Sequence, residues 1–429
     1  MQHFIFFLAI FAGASINKQI MSYRIIAPAT CDTTIKLPAS KSISNRILVL
    51  NGLCNSNYPI ENISDCNDTR VMLRAFNGKG DRTIDINAAG TAMRFLTAYY
   101  SLTPGNYVLT GSERMKNRPI SVLVDALRYL GAHIAYTEKE GYPPLNISGQ
   151  KLTGGKLSLK GSISSQYISA LLMIAPFTQN GIELTLTGEI ISRPYINMTL
   201  QLMKLFGAVS QWKENRISVP AGNYEPLPFT VEADWSAASY WYEVATFIPA
   251  THIVLPGLTK DSLQGDSRIS EYFEPLGVRT SFSKNGVILT KTVAKKNKIE
   301  YDLTDQPDLA QTLVVTCAMM NIPFRFTGLQ SLRIKETDRI SALQNELKKL
   351  GYIIEDENDS VLEWNGERIT PETNPKIRTY EDHRMAMAFA PAAYFFPELG
   401  IENPEVVEKS YPHFWKDLSK AGFTIKSEK

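Results

Sequence analysis

The chain has 429 residues, 44% hydrophobic and 21% charged, an ordinary globular composition that excludes wholesale disorder, a collagen-like repeat and a coiled coil. With 45 Lys and Arg against 43 Asp and Glu, the net charge is +2; a chain built to coat itself in nucleic acid is excluded, and any anion binding must come from local clustering. Four cysteines without a CxxC pair and five histidines without metal-ligand spacing argue against a disulfide scaffold or a common zinc motif and favour a reducing, cytoplasmic setting.

Residues 1–20, with the apolar run FIFFLAIFAGA from Phe4, read as a signal-like or dispensable extension, and Met21 opens what reads as the folded part. From there two helical patterns alternate. One starts small and polar and then turns apolar on every face: SKSISNRILVL from Ser40, AGTAMRFLTAYY from Ala89, SSQYISALLMIAPF from Ser164, DWSAASYWYEVATF from Asp234, QPDLAQTLVVTCAMM from Gln306 and EDHRMAMAFAPAAYFF from Glu381. Helices apolar all round are buried. The other is amphipathic and ends at Gly131, Gly207, Gly277, Gly351 and Gly422, recurring about every 70–76 residues. Each of these glycines predicts a left-handed helix cap. Short strand-like stretches such as KLSLKG, IELTLTG and FRFTGL lie between.

The unit is therefore strand, buried helix, strand, exposed helix and two strands, six times over. The first copy is about 25 residues short around Asn77–Asp85, where GKGDRT makes a turn. Two α/β domains of three repeats each follow. The N-terminal lobe should span 40–231, and the C-terminal lobe 232–429 together with a returning strand at 22–39. Hinges are expected near 37–40 and 231–234, next to the proline-bearing NYEPLPF.

Cations gather at one phase of this repeat. Lys41, Arg46, Arg94 and Arg384 lie in the first turns of buried helices. Arg114, Lys116, Arg118, Arg193, Arg333, Lys335, Arg339 and Lys409 lie in the loops before exposed ones or within their first turn. Alone, each reads as a solvated or paired surface charge. Together they oppose the helix macrodipole and call for an anion. Helix-start serines (Ser40, Ser42, Ser164, Ser165) and Gly90 supply donors and close backbone approach. Asp308 and Glu336 stand among the cations as candidate proton carriers; taken singly, they also read as a helix-start charge and a local ion pair. His383 reads as a satisfied buried histidine or as a residue that orients Arg384. No GxSxG, Walker A or GxGxxG motif occurs.

The blocks LPASKSISNR, NAAGTAMRF, RMKNRPI, SSQYISALL, ISRPYI, VEADWSAASY, RIKETDRI, TYEDHRMAMAF and EKSYPHF, in this order, closely resemble the 5-enolpyruvylshikimate-3-phosphate synthase family over nearly the whole chain. The resemblance implies an α/β fold of two domains, each of three βαβαββ units with buried parallel helices (an inside-out α/β barrel), and a monomer without metal or organic cofactor. It implies transfer of the enolpyruvyl group of phosphoenolpyruvate to the 5-hydroxyl of shikimate 3-phosphate through a tetrahedral intermediate, with no nucleic-acid or membrane partner. By motif match, Asp308, Glu336 and Lys41 would be catalytic. Ser42, Arg46, Ser164, Ser165, Gln166, Ser192, Arg193, Ser331 and Lys335 would bind shikimate 3-phosphate. Lys41, Gly90, Arg118, Gln166, Lys335, Arg339, Arg384 and Lys409 would bind phosphoenolpyruvate. The sequence departs from the family pattern at Ala88 and Ser331, where asparagine is usual, and at Phe95, where proline is. The alternatives are the sister transferase acting on UDP-N-acetylglucosamine, whose Cys-bearing loop has no match here, and a non-catalytic anion- or RNA-end-binding relative, which would not need Asp308 and Glu336.

Overall fold

The structure, a computed structural model, describes residues 21–78, 80 and 82–428. The signal-like segment at 1–20 lies outside the described residues. The helices in chain order are α1 (Lys41–Leu53), α2 (Asn67–Asn77), α3 (Gly90–Leu102), α4 (Glu113–Lys116), α5 (Ser121–Tyr129), α6 (Ser165–Ile174), α7 (Arg193–Leu205), α8 (Trp235–Phe247), α9 (Ile269–Phe273), α10 (Ala310–Met319), α11 (Arg339–Lys349), α12 (His383–Phe389) and α13 (Phe414–Lys420).

Helices α1, α3, α6, α8, α10 and α12 are buried along almost their whole length. Four of them begin at a polar cap. Ser40 Oγ accepts from Ile43 N, Ser164 Oγ from Gln166 N, Asp234 Oδ1 from Ala237 N and Asp382 Oδ1 from Arg384 N. The cap satisfies an orphan N–H at the start, and the apolar surface behind it drives the rest inward. Helix α5 instead buries one stripe, Leu123, Val124, Ala126 and Leu127. The glycines after the amphipathic helices all take positive φ, from 82° at Gly207 to 103° at Gly131, as a left-handed cap requires.

Each full repeat folds one four-stranded sheet. Strand 82–85 runs parallel to 105–110, which pairs antiparallel with 145–149 and through it with 133–136. The same order recurs in 155–160, 182–187, 216–219 and 211–213, and in 299–302, 324–327, 361–364 and 355–357. The shortened first repeat passes from α2 to the next strand without a hairpin, and its sheet has only two strands, 60–61 and 229–230. Among the described residues no sheet closes on itself. The expected inside-out barrel is therefore a set of open sheets laid over buried helices.

The chain builds the C-terminal lobe from both ends. Strand 22–26 completes the last sheet between 399–402 and 424–428, and strand 31–34 pairs parallel with 251–256. Strand 229–230 stays with the N-terminal lobe and pairs parallel with 60–61 of the first repeat. The two crossing segments touch: Ser40 N donates to Glu232 O and Asp234 N to Pro38 O, both at 2.9 Å. Two hydrophobic cores result. One runs from Ala39 to Val231; the other joins Ile25–Leu37 to Ala233–Phe423.

Candidate active site

Because all repeats share one phase, their buried helices start at one place. A cavity of about 350 Å³ is lined by Lys41 and Ser42 of α1, Gly90 and Thr91 of α3, Ser164, Ser165 and Gln166 at α6, Ser236 and Ala237 of α8, Asp308 before α10, and His383 and Arg384 of α12. Six positive helix ends thus face one space. The starts of three surface helices complete the wall: Arg118 before α5, Ser192 and Tyr195 at α7, and Lys335, Glu336 and Arg339 at α11.

The N-terminal wall is rich in hydroxyls and in cations that lack carboxylates. Arg46 donates to Thr199 Oγ1 (2.7 Å), Ser42 O (2.9 Å), Ser169 Oγ (3.2 Å) and Tyr195 O (3.3 Å). Its guanidinium carbon lies 5.3 Å from the centre of the Phe95 ring, so the phenylalanine at the departing position packs against a cleft arginine. Burial brings the Arg46 pKa down to about 10. Gly90 makes room for two guanidinium groups: a Cβ there would lie 2.7 Å from both Arg118 Nη1 and Arg94 Nη1. Burial, and then the neighbouring Arg94, lowers the pKa of Arg118 to about 10. Among the described residues Arg118 has no ion-pair partner. Two carboxylates meet Lys41: Asp68 of α2 lies 3.2 Å from its Nζ, and Asp234 Oδ2 accepts from its backbone N–H at 3.3 Å. Burial depresses the lysine most strongly of any single influence, but Asp68, Cys66 and Glu336 together outweigh it and hold the pKa above its usual value.

The C-terminal wall is a closed ionic network. Asp308 meets Arg384 at 2.9 Å, Arg339 at 3.1 Å and Lys335 at 3.5 Å. Glu336 meets Arg339 at 2.9 Å and Lys409 at 3.2 Å. Arg339, 1% exposed, also reaches Asp382 at 2.7 Å. Burial would raise both catalytic candidates, but the cations win. Arg384, Lys335 and Arg339 hold Asp308 below the ordinary carboxylate range, and Lys409, Arg339 and Arg118 do the same for Glu336. Both are carboxylates at neutral pH. His383 is driven neutral by burial and by Lys41 and Arg384. Neither of its ring nitrogens has a hydrogen-bond partner, so it is not the satisfied buried histidine of the sequence reading. The Ser331 hydroxyl is likewise buried, unpartnered and on the cavity wall.

Of the residues singled out in the sequence, most of those assigned to the two substrates line this cavity. Lys409 lines an adjoining cavity of about 170 Å³, together with Asn87, Ala88, Arg118 and Glu336. Arg193 is not brought in. Its side chain is exposed, with its guanidinium 5.8 Å from the Trp212 ring, while its backbone N–H donates to Asp305 Oδ1 of the other lobe. Arg333 and Lys116 are also spent elsewhere, on Asp338, Asp356 and Asp359 and on Glu113 and Glu138. Sequence reasoning missed Asp68, Asp234, Tyr195 and Ser236. The block ISRPYI held a usable signal: a tyrosine two residues into the first turn after Arg193 sits at the cation-bearing phase of the repeat.

Comparison with known proteins gives the family and the fold. The sequence profile described as EPSP synthase (3-phosphoshikimate 1-carboxyvinyltransferase) matches residues 74–418. A 3-phosphoshikimate 1-carboxyvinyltransferase of Bacteroides fragilis is 59% identical over 407 residues, covering 95% of this chain and 99% of that protein. One from Cronobacter sakazakii is 36% identical, covering 91% and 96%. Among solved structures, an EPSP synthase from Acinetobacter baumannii superposes with a TM-score of 0.75 at 20% identity, covering 96% of this chain and 100% of that one. The enolpyruvyl transferase NikO from Streptomyces tendae gives 0.70 at 16% identity, covering 95% and 99%.

Proposed function

The chain belongs to the EPSP synthase family, and from that premise we propose how its cleft divides the work. The protein transfers the enolpyruvyl group of phosphoenolpyruvate to the 5-hydroxyl of shikimate 3-phosphate, a step of the shikimate pathway, and releases phosphate. The observation that carries the site assignment is the meeting of six buried helix starts from both lobes around two ionised carboxylates and their cations.

In our reading Ser42, Arg46, Ser164, Ser165, Gln166, Ser192, Ser331 and Lys335 hold shikimate 3-phosphate. Lys41, Gly90, Arg118, Gln166, Lys335, Arg339, Arg384 and Lys409 surround phosphoenolpyruvate. Arg193 drops out, since its side chain points to solvent. Asp308 takes the proton from the 5-hydroxyl as that oxygen bonds to C2 of phosphoenolpyruvate. The double-bond electrons move to C3, which gains a proton from the Lys41 ammonium, passed directly or relayed through the Glu336 carboxylate, giving the tetrahedral intermediate. In the second half C3 returns a proton to the same group, the double bond re-forms and the C2–O bond to phosphate breaks. The cations stabilise negative charge on the departing phosphate.

The network explains how a strongly acidic Asp308 serves as a base. While three cations face it, its basicity is low. Bound phosphate and carboxylate groups compete for Arg339, Arg384 and Lys335, and its basicity rises as the substrate fills the site. Glu336 responds in the same way through Lys409 and Arg339.

We propose further that the lobes divide at 37–40 and 231–234, where the two crossing segments pair, and that the enzyme acts as a cytoplasmic monomer. Supporting the reducing setting, all four cysteines are free thiols. The test of function is phosphate release from phosphoenolpyruvate, with shikimate 3-phosphate and UDP-N-acetylglucosamine as separate acceptors. Release only with the first is expected; release with the second overturns the assignment.

A further inference from the structure

One buried carboxylate beside the cleft has no part in the chemistry above. Asp266 lies in the short turn Gly265–Arg268 of the C-terminal lobe, is 3% exposed and does not itself line the cavity. Two residues that do line it donate to its carboxylate. Tyr195 Oη, from α7 of the N-terminal lobe, donates to Oδ1 at 2.9 Å. Ser236 Oγ, from α8 of the C-terminal lobe, donates to Oδ2. The two cavity-lining hydroxyls therefore meet on one group, and they come from opposite lobes.

The rest of the seam is built around this point. Ser192 N donates to Thr304 O at 2.9 Å and Arg193 N to Asp305 Oδ1 at 3.0 Å. Thus N–H groups at the start of α7, which no side chain of that helix's own N-cap satisfies, are capped by the other lobe. Pro194 has no N–H to satisfy. It packs so closely on Gly265 that a Cβ there would fall 2.2 Å from Pro194 Cβ, so the residue before Asp266 has to be glycine. On its inner side Tyr195 is fixed through its carbonyl, which accepts from Arg46. The charged groups facing Asp266 are Asp308 and Arg384. Burial and Asp308 raise its pKa to about 6 against the pull of Arg384, which leaves it mostly ionised at neutral pH and able to accept both hydroxyls.

We propose that Asp266 is a positioning residue for the shikimate 3-phosphate side of the cleft. It fixes the Tyr195 and Ser236 hydroxyls on the cavity wall and makes their placement depend on the docking of α7 onto the C-terminal lobe. Tyr195 shares that wall with Ser192 and Arg46, so loss of Asp266 loosens the acceptor site and leaves the ionic network around phosphoenolpyruvate in place. The inference rests on the substrate assignment proposed above.

The experiment uses the full chain as wild type, Asp266→Ala, Asp266→Asn, Tyr195→Phe and the Asp266→Ala/Tyr195→Phe double variant. KM for each substrate and kcat are measured, together with calorimetric binding of shikimate 3-phosphate alone. Asp266→Ala should raise KM and Kd for shikimate 3-phosphate about tenfold while KM for phosphoenolpyruvate stays within about twofold. Asp266→Asn, which keeps an acceptor for Tyr195, should recover part of the loss. The double variant should be no worse than Asp266→Ala, because the two residues act as one unit. Unchanged shikimate 3-phosphate binding in Asp266→Ala, an equal rise in both KM values, or additive single effects would overturn the proposal while the enzyme assignment stands. Absence of phosphate release or shikimate 3-phosphate binding in the wild type would instead overturn the substrate assignment, and this proposal with it.

Discussion

The two walls of the cleft are made by the same repeat and yet are electrically unlike. On the N-terminal wall Arg46 and Arg118 have no carboxylate partners, and the hydroxyls of Ser42, Thr91, Ser164 and Ser165 stand beside them. On the C-terminal wall Lys335, Arg339, Arg384 and Lys409 are interleaved with Asp308, Glu336 and Asp382 at 2.7 to 3.5 Å. The first wall is complete only when a ligand anion arrives. The second is neutralised in advance, and in the proposed reading its carboxylates move protons once substrate competes for the cations. In that reading, unpaired cations and hydroxyls on one side hold the substrates, while on the other the cations that also surround phosphoenolpyruvate tune Asp308 and Glu336, and the contrast can be broken one wall at a time.

The largest effect should come from Asp308→Ala. Removing a general base costs about 10²–10⁴ in rate, and Ser42, Ser164 and Ser165 are untouched, so kcat should fall by that factor with little change in shikimate 3-phosphate binding. Near-normal turnover would take the base away from Asp308. A second variant separates chemistry from architecture on the same wall. Arg339→Ala strands the fully buried Asp382 and releases Asp308 and Glu336 from a shared partner, at a cost of about 3–5 kcal/mol in folding stability. Urea unfolding should show it, with Arg118→Ala on the other wall near wild type. Equal stability of the two variants would refute the contrast.

The network also has a pH signature. Asp308 and Glu336 are held below the ordinary carboxylate range, so the unfolded chain binds more protons than the folded one as the pH falls. The stabilisation from their ion pairs is complete above about pH 4–5 and is lost as the pH drops through the folded values. Acid destabilisation should be shallower in Arg339→Ala than in wild type. Identical pH slopes would mean that the two carboxylates titrate normally.

How much of this could be read beforehand depends on whether the signal is periodic. The alternation of all-apolar and amphipathic helices, with Gly131, Gly207, Gly277, Gly351 and Gly422 as caps, predicts the repeat, the short first unit and the shared end where helices start. A strand crossing back from before Lys36 also follows from the sequence. Side-chain destinations are not periodic. Arg333 and Lys335 are two residues apart, yet one is bound to surface carboxylates and the other faces Asp308. Tyr195 and Asp266 find each other across 71 residues and two lobes; neither carries a local pattern that names the other.

On the recognition wall, Arg118→Ala should act on one substrate. Its guanidinium has no carboxylate of the protein to satisfy, and the loss of a charged hydrogen bond to a ligand costs about 1.5–3 kcal/mol. KM for phosphoenolpyruvate should therefore rise roughly tenfold to a hundredfold, with shikimate 3-phosphate affinity preserved. An unchanged KM would remove Arg118 from the cationic wall.

The smallest effect is the most discriminating between motif and geometry. By motif, Arg193 belongs to the phosphate site. In the structure its side chain lies outside, over Trp212, and what it gives the cleft is a backbone N–H donated to Asp305. Alanine keeps that N–H and the helical backbone, and an exposed guanidinium contributes little. Arg193→Ala should leave both KM values and kcat within about twofold of wild type, whereas Arg193→Pro, which deletes the N–H, should weaken the seam that carries Ser192 and Tyr195 and raise KM for shikimate 3-phosphate. If the alanine variant alone weakened shikimate 3-phosphate binding tenfold, the arginine side chain would have to swing inward when substrate binds, and the N-terminal wall would gain a cation that lies outside it here.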